Sequence, residues 1–61
     1  METVEPITMN ERWKAYVTQV SKDWYRLDVV STFGKTVSFF GSRHAEVISR
    51  ARNWVAEQEA S

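Results

Sequence analysis

The sequence predicts an α+β domain, a three-stranded antiparallel meander packed on one C-terminal helix in the order β-β-β-α. Three observations predict it. Strand-favouring residues dominate three consecutive segments, Trp13 to Val20, Trp24 to Ser31 and Lys35 to Gly41. The gaps between them, read as three-residue hairpin loops, impose two registers that agree with each other. Beyond Gly41 the apolar residues Val47, Ile48, Ala51, Trp54 and Val55 recur at helical spacing.

Residues 1 to 11 carry Pro6, three glutamates and no apolar period, so they read as a flexible lead-in, disordered or ordered on contact. The domain proper spans residues 12–58, and 59–61 read as a frayed tail. With Ser21-Lys22-Asp23 as the first loop, Val20 pairs with Trp24, Thr18 with Arg26, Val17 with Leu27, Tyr16 with Asp28 and Ala15 with Val29. With Thr32-Phe33-Gly34 as the second, Val29 pairs with Val37, Asp28 with Ser38, Leu27 with Phe39 and Arg26 with Phe40. One face then reads Ala15, Val17, Leu27, Val29, Val37 and Phe39, wholly apolar, as a core face must be. Gly34 falls where such a loop needs positive φ, and Asp23 holds the equivalent place in the first loop.

Ser42 is placed to cap the helix, whose apolar stripe covers one sheet face while Arg43, Glu46, Arg50, Asn53 and Glu57 look at water. Fraying is expected from Gln58 to Ser61. A competing architecture, α-β-β-α, arises because Trp13, Tyr16, Val17 and Val20 also fit helical spacing, with Asn10 as a cap and Glu11 in the first turn. The β-branched and aromatic content of Tyr16 to Val20 and the closure of the register favour the strand.

The chemistry that composition excludes is broad. With no cysteine, a disulfide framework, a thiolate zinc site and a cysteine nucleophile are ruled out, and His44, the one histidine, cannot build a metal site alone. The two glycines, Gly34 and Gly41, are too far apart for a phosphate loop. Ser42 and His44 lie near a helix start, but no acid is read as orienting His44, which is more simply a solvent-exposed first-turn residue. The expectation is a protein that is not an enzyme, without cofactor or catalytic residues. No secretory or membrane-spanning run is evident, so the expected location is cytoplasmic.

What stands out is the sheet face that a single helix leaves open. In the register above it carries Lys14, Tyr16, Trp24, Arg26 and Phe40, three aromatics and two cations on one surface, and these are the candidate partner-binding residues. Arg26 is close enough to Phe40 across the strands for its guanidinium to rest on the ring. Each has a plainer reading: Trp24 as a cross-strand pair with Val20, Phe40 as a cover for the helix start, Tyr16 with Asp28 as a solvated hydrogen bond. The lead-in, through Val4, Ile7 and Met9, could also run over this face and bury it.

The net charge is zero, yet Arg12 to Arg52 holds all eight basic residues against Asp23, Asp28 and Glu46 alone, and glutamates near the two ends cancel the surplus. That asymmetry is the first hint of a polyanionic partner; solubility is its bland alternative. Trp13 opening the first strand, Phe39-Phe40 closing the third and Ser42-Arg43-His44-Ala45 starting the helix resemble, over residues 12–57, the small DNA-binding domains of phage integrase arms and of plant APETALA-type factors. The resemblance is one of topology. It implies a sheet face laid into the major groove, the face singled out above. The leading expectation is therefore a nucleic-acid-binding module, with DNA as its first candidate, in which Lys14 and Arg26 meet phosphates or base edges and Tyr16, Trp24 and Phe40 stack. The rival is a protein-binding adaptor, inhibitor or homodimer that uses the same face or an exposed strand edge. No membrane or small-molecule partner is indicated.

Overall fold

A computed structural model describes residues 4–60. The chain forms four strands, β1 (Val4–Thr8), β2 (Trp13–Ser21), β3 (Trp24–Ser31) and β4 (Thr36–Gly41), followed by one helix, α1 (His44–Ala60). The strands pair antiparallel in sequence order, β1-β2-β3-β4. The meander on a C-terminal helix is the predicted one, with a fourth strand in place of three. Trp13–Ser21 is a strand, so the α-β-β-α arrangement is not adopted.

The added strand comes from the segment read as a lead-in. Val4 to Thr8 pair with Thr18 to Lys14 along the free side of β2. They lack a visible period because only alternate residues of an edge strand meet the core, and here one of those is Glu5. On the helix side of the sheet, Ile7 and, just past the strand, Met9 are half-buried against the core. Val4–Thr8 thus widen the sheet and do not lie across its open face.

The register of β2, β3 and β4 matches the expected pairs from Ala15↔Val29 to Thr18↔Arg26 and from Val29↔Val37 to Arg26↔Phe40. The second hairpin also behaves as read: Gly34 N–H donates to Ser31 C=O at 3.3 Å, Ser31 N–H to Lys35 C=O at 2.8 Å, and Gly34 has φ 92°. A side chain there would be strained by the backbone alone, since nothing lies within 4 Å of its added Cβ. The first hairpin differs. Ser21 faces Trp24, the register shifts between Gln19 and Ser21, and among the described residues none other than glycine has positive φ. The turn is therefore Lys22-Asp23, two residues without the left-handed conformation expected at Asp23. Such a turn twists against its strands, and a bulge at Val20 restores the twist. The expected Val20–Trp24 pair is lost to it.

Trp13, Ala15, Val17, Leu27 and Val29 from the sheet and Val47, Ala51 and Val55 from α1 form the buried core. Val37 and Phe39, expected to be equally central, are half-buried because β4 is an edge strand. The first intrahelical bond runs from Val47 N–H to Arg43 C=O at 3.2 Å, which puts the cap at Arg43, one residue after Ser42. Gly41 is where strand meets helix. A Cβ there would come within 2.7 Å of Val47 Cγ1, and Val47, fully buried, has nowhere to move.

The helix lies over β3 and β4 and, less, over β2; it does not pack on β1. Two carboxylates tie down the ends of the helix, one on β1 and one reaching the β1–β2 loop and the start of β2. His44 Nε2 meets Glu5 Oε1 at 2.8 Å at one end of the helix. At the other end Glu59 accepts from Asn10 Nδ2 (3.2 Å) and Trp13 Nε1 (3.2 Å) through Oε1, and from Arg12 Nη1 (3.3 Å) through Oε2. A carboxylate in the last turn of a helix opposes the helix dipole, and these three donors offset that. They also explain why α1 continues to Ala60 through a sequence with little apolar pattern.

Candidate binding face

Alternation along four paired strands sets the open face in three rows: Val4, Thr18, Arg26, Phe40; Pro6, Tyr16, Asp28, Ser38; and Thr8, Lys14, Val30, Thr36. Trp24 extends the first row toward the hairpin tip. All five residues expected on this face lie on it. Tyr16, Trp24 and Phe40 are 39%, 44% and 49% exposed, and Val4, Val20 and Val30 are wet beside them. Sequence reading missed Val4 and Pro6 as members of the face, because a segment without periodicity gave no register for them.

Arg26 does not rest on Phe40. Its Nε donates to Asp28 Oδ2 at 3.2 Å, a residue two along the same strand and on the same face. Asp28 receives a second bond from Ser38 Oγ at 2.7 Å across β3 and β4, so its partners are Arg26 and Ser38 and not the Tyr16 opposite it. An Arg, an Asp and a Ser thus form a polar chain at the centre of the face, among exposed aromatic and aliphatic side chains. The guanidinium is about half exposed and its carboxylate about a third, which makes the pair worth a few tenths of a kcal/mol to about 1 in stability.

The charge asymmetry along the chain is not an asymmetry in space. Arg26 pairs with Asp28 and Arg50 with Glu46 inside the basic body, and Glu59 from near the end of the chain folds back onto Arg12. Of the remaining cations Lys14 is on the open face, Lys22 at the first hairpin tip, Lys35 over the Trp54 ring at 5.3 Å, Arg43 at the helix cap and Arg52 on the helix. They are dispersed over several sides and make no continuous basic track.

His44 has an acid beside it after all, Glu5, which lies in the segment read as a flexible lead-in; the ring also sits edge-on to Tyr25, with centroids 5.6 Å apart. The pair joins β1 to α1. On the helix side, where β1 is uncovered, a groove of about 530 Å³ opens between Met9 and Asn10 and the helix residues Arg52, Val55, Ala56, Glu59 and Ala60. It was not anticipated from sequence, since it exists only because one helix is narrower than four strands. No helix among the described residues is long and apolar enough to cross a membrane.

No family model, curated protein or solved structure matches this chain. The resemblance to integrase-arm and APETALA-type domains therefore rests on element order alone, and the fourth strand departs from it.

Proposed function

We propose that this chain is a binding module whose open sheet face docks on the surface of another protein. The observation that carries the reading is the composition of that face: six apolar side chains, Val4, Tyr16, Val20, Trp24, Val30 and Phe40, are at least a third exposed on or beside it, against a net charge of one from Lys14, Arg26 and Asp28. A soluble domain gains nothing by wetting such a surface. Aromatic residues around an Arg are the usual make-up of the energetic centre of a protein interface. Phosphate recognition needs several free cations on one side, and here the central cation already has a carboxylate.

The second reading keeps the nucleic acid. Tyr16, Trp24 and Phe40 offer rings on which unpaired bases could stack, with Lys14 nearby, and single strands are bound in this way on other open sheets.

Salt separates the two. Random-sequence duplex and single strands titrated at low ionic strength are expected to show no salt-sensitive binding, while a photo-crosslinker in place of Tyr16 traps a discrete protein adduct in cells. Trp24→Ser and Phe40→Ser should each cut that adduct at least about tenfold, and a crosslinker in place of Asn53 on the helix should not form it. Binding to either nucleic acid that weakens steeply with salt and is reduced by Arg26→Ala would instead establish the second reading.

A further inference from the structure

We propose that β4 is a dimerisation edge, pairing antiparallel with β4 of a second copy to make one continuous eight-stranded sheet; this goes beyond docking on the open face. The sheet has two edges, and they are built differently. In the β3–β4 ladder Ser31 N–H donates to Lys35 C=O and closes the hairpin, so the bonded pairs continue at Val29↔Val37 and Leu27↔Phe39. The N–H and C=O groups of Thr36, Ser38 and Phe40 therefore point away from the sheet. The same alternation directs Val4, Pro6 and Thr8 outward on β1. Pro6 deletes the central donor of that edge, and Glu5 adds a charge. These are ordinary guards against edge pairing.

Thr36-Val37-Ser38-Phe39-Phe40-Gly41 carries neither guard: no proline, no charge and no bulge. Its one cover among the described residues is the Arg50 guanidinium, which reaches Phe40 C=O at 3.4 Å from an exposed side chain and leaves the Thr36 and Ser38 groups open.

A second copy fits this edge for three reasons. The strand complements itself about Ser38: Thr36 meets Phe40, Ser38 meets Ser38, and on the helix side the half-buried Val37 and Phe39 meet each other, with no like charges opposed. A two-fold axis normal to the sheet keeps both helices on one face and doubles the open face on the other. Because α1 rests over β3 and β4, the two helix axes come about 10 Å apart, the distance at which helices pack. The facing flank holds Glu46 and Arg50, opposite charges already 2.8 Å from each other and free to exchange across the axis.

Sedimentation over a concentration series, joined to hydrogen exchange, tests this. The protein should sediment at twice the monomer mass at high concentration, with slow exchange at Thr36, Ser38 and Phe40 that speeds up on dilution. Ser38→Pro removes an outward donor and no ladder bond, so it should halve the mass while circular dichroism stays folded; Thr8→Pro on the guarded edge and Trp24→Ser on the open face should leave the mass unchanged. Should Ser38→Pro unfold, the exchange of the three amides in the unaltered protein decides. A monomer at every concentration, a dimer in which those amides exchange fast, or a dimer abolished by Trp24→Ser would each overturn the proposal, the last in favour of self-association through the open face.

Discussion

Replacing Trp13 with Ala should cost about 3–5 kcal/mol, most of the stability that a domain of this size possesses. Trp13 is buried where β2 begins, and its ring stands edge-on to Phe33 at 5.5 Å and to Trp54 at 5.3 Å. It also supplies one of the three donors to Glu59. Its removal opens a cavity between sheet and helix and loosens the tie that holds the helix end. Trp13→Phe separates these effects, because it keeps most of the packing and removes the N–H; a loss of about 1 kcal/mol is expected there, since Glu59 is partly solvated. Urea melts of the two variants check this. Equal losses for Phe and Ala would mean that the hydrogen bond, and not the ring packing, holds this end together.

Leu27→Ala should cost about 2–5 kcal/mol. Leu27 is fully buried in β3, a central strand, with Val17 and Phe39 beside it across the sheet. Val30 lies three residues along the same strand on the opposite face, and Val30→Ala should cost no more than about 0.5 kcal/mol. Denaturant midpoints of the pair measure which face is core. Comparable losses from both would show that something covers the open face in solution and would weaken the case for it as a docking surface.

The part of this fold that sequence reveals is the part fixed by alternation. Ala15, Val17, Leu27 and Val29 share a face only in registers of one parity, since a one-residue slip would turn one strand's pair outward, and Gly34 identifies the second turn through a backbone requirement that few residues meet. The first turn was less legible, since Lys22-Asp23 has no such requirement and the bulge at Val20 is set by twist and not by residue type. The first strand escaped because Glu5 and Pro6 are poor strand residues in isolation. At an edge both are tolerated, the glutamate because His44 receives it and the proline because its missing donor would face water. For the candidate face, position was legible and electrostatics was not. The register put Arg26 beside Phe40, but whether it would choose a ring or Asp28 depends on side-chain geometry that spacing does not encode.

The meander has a kinetic consequence. Every strand pairs with the next one in the chain, and the helix returns over the strands just completed, so most of the structure assembles from contacts between near neighbours in sequence. The longest-range bonds are those of Glu59 to Asn10, Arg12 and Trp13, which join residues 46 to 49 positions apart, against 39 for His44 with Glu5. Loop closure of that length costs entropy early and returns little until both partners are already ordered. Glu59 should therefore act as a latch that closes after the barrier is crossed. In stopped-flow chevrons, Glu59→Gln should leave the folding limb almost where it was and raise the unfolding limb by about the whole of the stability lost; a slowed folding limb would place the meeting of the chain ends inside the rate-limiting step.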